Sequence, residues 1–324
     1  MITVLAGGVG AARFLRGLVA AVDPTTIHVV VNTGDDSTIN GLSVSPDLDT
    51  ITYTAAGAID PERGWGLANE SWRTMEAMGR FVPVRPDNSS AANTWFNLGD
   101  QDIATHLYRT ARLAEGATLS EVTDEIRRAW NLPFRIVPMS DQPVATMVDV
   151  VDTDGTNRCV SFQEYFVRRR HSVPVTGVRF DGAEQARPTF LDDLKRSDVV
   201  VIAPSNPLVS IGPLRALDGV DRTLASIRDR VVAVSPIVAG SALKGPADRM
   251  LVELGHEPSV VGVARLYAPI CSTLVVDTRD ADRVDAVQRE GVRCVVTDTI
   301  MSSPEISRSL AVTTVAAITE RNPR

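Results

Sequence analysis

The chain opens on Ile2-Thr3-Val4-Leu5-Ala6, a near-continuous apolar run that meets Gly7-Gly8-Val9-Gly10 and then Ala11 to Val22, a stretch of helical composition. Strand, glycine turn and helix in that order define a βα unit, and an apolar first strand predicts burial on both faces in a parallel sheet. Glycines at the turn tolerate positive φ and close backbone approach, and the free N–H groups of the next helix favour an anion. The same residues also suit an ordinary tight βα turn. Read as a dinucleotide fingerprint, Gly8-Val9-Gly10-Ala11-Ala12-Arg13 places Arg13 where a small residue is needed, which argues against an NAD-dependent dehydrogenase.

A second apolar strand, Ile27 to Val31, ends in Asn32-Thr33-Gly34-Asp35-Asp36, and Ser45-Pro46-Asp47-Leu48-Asp49-Thr50 follows. Four carboxylates beside a phosphate cradle repel the phosphate unless a cation lies between them, and Mg²⁺ suits that place, although Asp also serves simply as a helix cap. The residue pattern assigns Asp36, Asp47 and Asp49 to the metal, and Gly7, Gly8, Gly10 and Arg13, with Ser205 and Asn206 of a later loop, to the nucleotide.

Alternation of strands and helices predicts an α/β, Rossmann-like three-layer fold with a mainly parallel sheet. Helical patterns run over Gly66 to Met78, Asp102 to Glu115 and Leu119 to Trp130, the last opened by Ser120. From Arg135 the period changes to short β-branched runs (Arg135 to Val137, Val144 to Val151, Cys159 to Phe162, Val173 to Phe180) with a hairpin turn at Asp152-Thr153-Asp154-Gly155. The expected organisation is a nucleotide and metal core over 1–134, a β-rich insertion over 135–190 and a second part of the core over 191–324. Strands at Val199 to Ile202, Val231 to Ser235, Thr273 to Val276 and Val292 to Val296 complete the sheet. Ligands in open α/β sheets bind beyond strand carboxyl ends, so residues 7–10, 35–49, 204–207 and 236–244 should share one crevice.

Composition narrows the function. A net charge of −7 without a basic stripe excludes an ordinary nucleic-acid binder. No apolar run approaches the ~20 residues of a membrane span. Met1 leads directly into a strand, leaving no room for a secretory leader, so the cytoplasm is the expected compartment. Cys159, Cys271 and Cys294 lack metal spacing and read as buried thiols, and the Arg168-Arg169-Arg170-His171 run reads as the solvated end of a helix.

Trp95-Phe96-Asn97-Leu98-Gly99-Asp100-Gln101-Asp102 precedes a helix on which His106 and Arg109 share a face; the aromatic pair can wall a flat heterocycle or simply pack in a core, and Asp100 is placed to cap that helix. Together with Pro138-Met139-Ser140-Asp141, Pro204-Ser205-Asn206-Pro207, Ser210-Ile211-Gly212-Pro213 and Val234-Ser235-Pro236-Ile237, the ordered set resembles the 2-phospho-L-lactate transferase (CofD-like) family of coenzyme F-420 biosynthesis, through nearly the whole chain and most of all its mycobacterial, phosphoenolpyruvate transferase branch. That resemblance implies a homodimeric enzyme whose partners are two substrates, the deazaflavin Fo and a GDP-activated three-carbon acid. Fo attacks the phosphorus bearing the acid, and GMP leaves. Matching positions imply Fo contacts at Asp49 and Asn97; the residue pattern itself adds Trp95 beside them and Asp49 and Asp47 as catalytic groups. Asn97 stands where many relatives carry a basic residue, and Ala203 replaces a common glycine. The alternative from another class is a non-catalytic nucleotide-sugar-binding regulator of related fold, which has no need of a deazaflavin platform at Trp95 to Asp102.

Overall fold

In the computed structural model, which describes residues 1–320, the Val/Ile runs become one seven-stranded sheet. Across it lie Arg293–Thr297, Thr273–Asp277, Val231–Val234, Val199–Ile202, Ile2–Ala6, Ile27–Val31 and Arg135–Pro138. Every neighbouring pair is parallel. Alternate strand residues enter two cores. Val4 and Ala6 pack with Phe14, Leu15 and Leu310 on one face, while Leu5 and Ile202 pack with Leu214, Leu224 and Tyr267 on the other. This is the expected three-layer arrangement, and each buried Leu or Phe side chain contributes about 2–3 kcal/mol of apolar transfer.

Arg135–Pro138, expected to open the insertion, instead pairs in parallel with Ile27–Val31 at the edge of the main sheet, and the separate antiparallel sheet begins only at Ala145, with Ala145–Val151 between Asn157–Ser161 and Val175–Asp181. Its turn is the predicted one: Asp152 N–H donates to the Thr156 carbonyl, and Gly155 takes φ 79°. The sheet and the segment after it carry their own core of Val148, Val150, Tyr165 and Val175, closed by Val209 and Met250 of the main body.

Several local expectations change. Helix forms only over Arg73–Met78, not from Gly66, because Gly66 (φ 66°) and Asn69 (φ 57°) hold left-handed backbone. The Leu119–Ala129 helix is capped by Thr118, whose hydroxyl and Glu121 form a reciprocal capping box, rather than by Ser120. Asp100 does not cap the helix that follows it. It accepts from Ser71 Oγ and from the N–H groups of Arg73 and Thr74, which pulls its carboxyl down to about 2. Glu70 in return accepts from Gln101 and Asp102 N–H and caps Asp102–Ala114. Of the cysteines only Cys271 is fully buried; Cys294 is half-buried and Cys159 is exposed. No described helix is long and apolar enough to cross a membrane.

Candidate active site

The strand ends open onto a cavity of about 1030 Å³. The glycine loop, the acidic loop, residues 204–206, residues 235–247 and residues 299–302 all line it, so the four segments expected to meet do so. Of the residues proposed from sequence, Gly7, Gly8, Gly10, Arg13, Asp47, Asp49, Trp95, Asn97, Ser205 and Asn206 line the cavity. Asp36 does not.

The glycine loop is shaped by two constraints. Gly8 has φ 73° as the chain turns into the helix Gly8–Val19, and a Cβ at Gly10 would lie 2.1 Å from the Pro204 carbonyl oxygen. Ser205 ties the loop down, its Oγ donating to the Gly7 carbonyl at 2.8 Å and accepting from Gly7 N–H at 3.3 Å. Gly8 N–H is given to Asp47. The first-turn amides of Val9 and Gly10 have no acceptor within their own helix and are left for an anion. Asn206 spends its Oδ1 on the N–H groups of Leu208 and Val209, which shapes its own turn.

The acidic motif starts a helix, Pro46–Ala55. Its first turn aims Asp47 at the glycine loop, where Asn32 Nδ2 donates to Asp47 Oδ2 at 3.0 Å. Burial pushes the Asp47 carboxyl up to about 6. Asp35 is also raised well above the usual range, by burial first and then by Asp47 and Asp36. Its Oδ1 is buried without a hydrogen-bond partner, and the residue lines the cavity. Asp36, raised by burial as well, turns aside to accept from Ser45 Oγ at 2.6 Å. Hard carboxylate oxygens in a desolvated corner, with Asp35 Oδ1 left without a donor, suit Mg²⁺, and Asp35 and Asp47 are the pair that could hold it.

Asp49 faces a different set of partners. Arg109, 2% exposed, grips both its oxygens, and Nη1 also lies 3.3 Å from His106 Nδ1. A guanidinium only donates, so Nδ1 accepts and a ring proton sits on Nε2, 3.3 Å from Asp102 Oδ2. Tyr53 Oη donates to Asp102 Oδ1 at 2.7 Å. Burial opposes ionisation of Asp102, but His106, the Tyr53 hydroxyl and Arg109 outweigh it and hold the carboxyl low. Asp49, Asp102 and His106 bring ligand atoms within 4.8 Å of one another, yet Arg109 already neutralises Asp49, so the group closes on itself without an added cation. The spacing of His106 and Arg109 signalled a shared face; their link to Asp49 was not legible.

Aromatic side chains wall the cavity on two sides. Trp95 and Phe96 meet edge to face, 5.9 Å between centroids, and pack with Leu98, Val44 and Met75 near the acidic loop. Phe162 and Phe166 approach from the insertion, a contribution sequence reading missed because that segment was seen only as hairpins. Among the described residues the cavity-lining cations Arg13 and Lys244 have no carboxylate partner. The arginine run stays outside, with Arg169 paired to Asp152 and Glu164.

The family model for 2-phospho-L-lactate transferase CofD matches residues 2–317. The chain belongs to that family. It is 42% identical over 319 residues to a phosphoenolpyruvate transferase of Kitasatospora aureofaciens, covering 97% of each chain. It is also 42% identical to one of Streptomyces coelicolor (96% of this chain, 95% of that one) and 39% identical to one of Mycolicibacterium smegmatis (95% and 96%). A crystal structure of a UPF0052 family member from Bacillus halodurans superposes with a TM-score of 0.60 at 14% identity, covering 97% of this chain and 98% of the other. That likeness concerns the fold.

Proposed function

We propose that this CofD-family protein is a phosphoenolpyruvate transferase of coenzyme F-420 biosynthesis. It moves a phosphoenolpyruvyl group, or its 2-phospho-L-lactyl counterpart, from a GDP-activated donor to Fo. The observation that carries this reading is a single cavity that joins a glycine loop, unpaired Arg13 and Lys244, desolvated Asp35 and Asp47, and an aromatic wall at Trp95 and Phe96.

Transfer of this kind requires positioning and charge neutralisation more than a covalent nucleophile. The amides of Val9 and Gly10 and the two free cations receive the diphosphate and the acid's carboxylate. Asp35 and Asp47 would hold Mg²⁺, which would neutralise phosphate charge when bound. Arg109 fixes the rotamer of Asp49, which accepts a hydrogen bond from the ribityl hydroxyl of Fo. As the new O–P bond forms, that hydroxyl proton passes to Asp49 and the P–O bond to GMP breaks. Trp95 and Asn97 hold the ring of Fo.

Purified protein with Fo, Mg²⁺ and each synthetic donor should yield GMP and the coupled deazaflavin, identified by mass, and excess chelator should stop the reaction. Binding of donor without any product would instead support the regulator reading. In the same system Asn97→Ala and Trp95→Ala should weaken Fo binding more than GDP binding, by about tenfold for a lost aromatic wall. Fluorescence titration of Fo checks this, and unchanged Fo affinity in both variants would place the acceptor elsewhere.

A further inference from the structure

Two helices at the cavity meet through side chains spaced for one face. Asp49 and Tyr53 stand four residues apart on Pro46–Ala55, and Asp102, His106 and Arg109 follow at intervals of four and three on Asp102–Ala114. All five are buried, and all but Arg109 line the cavity. They link in one order. Tyr53 Oη donates to Asp102 Oδ1 at 2.7 Å, Asp102 Oδ2 lies 3.3 Å from His106 Nε2, and His106 Nδ1 lies 3.3 Å from Arg109 Nη1. Arg109 Nη1 and Nη2 then donate to the two oxygens of Asp49.

Donor and acceptor identities fix the protons along this line. A carboxylate only accepts and a guanidinium only donates. Burial first, and then Asp49 and Asp102, raise the Tyr53 phenol, so it stays a donor. Its one proton goes to the charged Asp102 in preference to Thr105 Oγ1, 2.8 Å from the same hydroxyl. In a carboxylate–histidine pair the carboxylate decides which ring nitrogen carries the proton. Here Nε2 faces Asp102 and Nδ1 is left bare toward Arg109. Arg109 Nη1 has two further acceptors, Asp49 Oδ2 at 3.2 Å and the Ser43 carbonyl at 3.3 Å, while among the described residues Nε has none. The guanidinium is therefore held by its terminal nitrogens alone, and its seat depends on what they meet.

We infer that Tyr53, Asp102 and His106 are positioning residues: Asp102 sets the His106 tautomer, the bare Nδ1 seats Arg109, and Arg109 holds Asp49 where the ribityl hydroxyl of Fo attacks phosphorus. This rests on the role given to Asp49 in the proposed function. Tyr53 also dictates how an amide sits at position 102. In Asp102→Asn the tyrosine proton holds the amide oxygen, so the amide nitrogen turns to His106 Nε2 and drives the ring proton onto Nδ1, donor against donor at Arg109. Adding Tyr53→Phe frees the amide to turn its oxygen back to Nε2–H, which restores the tautomer.

Long-range ring ¹⁵N–¹H spectra of histidine-labelled protein read the tautomer directly. The chain has four histidines, His28, His106, His171 and His256, and loss of one signal in His106→Asn identifies His106. The ring proton should lie on Nε2 in wild type, on Nδ1 in Asp102→Asn, and on Nε2 again in Tyr53→Phe with Asp102→Asn. Turnover should fall about 10²-fold in Asp102→Asn, the cost of a misplaced reacting group, and recover about tenfold in the double variant, while the Fo dissociation constant moves by less than about threefold. Loss of packing alone produces no such recovery. His106→Asn, whose Oδ1 takes the place of Nδ1, should keep about tenfold more turnover than His106→Leu. A ring proton still on Nε2 in Asp102→Asn, wild-type turnover there, or a double variant no better than the single one overturns the inference. If Asp102→Asn does not fold, equal turnover in His106→Asn and His106→Leu overturns it. The spectra need no substrate, so wild type that makes no product from Fo and either donor fails the proposed function while the tautomer result still decides this one.

Discussion

Asp47→Asn should make the metal-free protein more stable while lowering kcat by about 10²- to 10³-fold, the usual cost of removing one preorganised electrostatic contact. The carboxyl of Asp47 is raised to about 6 in the fold, chiefly by burial. Folding therefore favours its protonated form. The penalty for burying the ionised form is absent below about pH 4, the unfolded value, and grows to roughly 3 kcal/mol as pH rises past about 6. Asparagine keeps an acceptor for Asn32 or Gly8 but carries no charge, so it recovers most of that penalty and also relieves Asp35. Melting temperatures of metal-free wild type and variant should coincide near pH 4 and separate by about 4 °C above pH 6. Mg²⁺ should close the gap by stabilising wild type, since a ligand of the folded state raises its melting point. Equal melting at pH 7.5, or an equal Mg²⁺ response in both proteins, would remove Asp47 from the cation site.

This balance explains how far the site could be read from sequence. That Gly8, Gly10, Asp47 and Asp49 meet at one cavity was legible because their placement depends on short-range order: a glycine turn at a strand end, and acids in the first turn of the next element. Which of Asp35 and Asp36 lines the cavity was not legible. Adjacent residues in a turn point in different directions, and only the pairing of Ser45 Oγ with Asp36 turns that side chain away and leaves Asp35 to the cavity. The crossed caps of Asp100 and Glu70 were hidden for a similar reason, since each carboxylate serves a helix about thirty residues away in sequence. The parallel sheet was legible from its Val/Ile runs, and its strand boundaries shifted by only a few residues. The Phe162 wall depended on how the insertion docks through Val209 and Met250, a tertiary contact that no local period encodes.

The Arg109–Asp49 pair should carry the largest stability effect in the molecule. Arg109→Met keeps the aliphatic bulk but leaves the Asp49 carboxylate in a buried site beside Asp36, with its guanidinium partner gone. Breaking a buried pair from one side costs about 3–5 kcal/mol, because the remaining charge is uncompensated. Asp49→Asn should cost less, since the amide oxygen still accepts from Arg109. The double variant, Asp49→Asn with Arg109→Met, should then be more stable than Arg109→Met alone, the opposite of additive losses. Activity should follow a different order: both single variants and the double variant should lose transfer to Fo, because in the proposed reaction Asp49 receives the proton of the attacking hydroxyl and Arg109 fixes its rotamer. Urea denaturation of all four proteins, paired with the mass-detected product assay, separates the two roles. Additive destabilisation would show that the charges do not depend on one another, and full turnover in Asp49→Asn would move the attack on phosphorus to another carboxylate in the cavity.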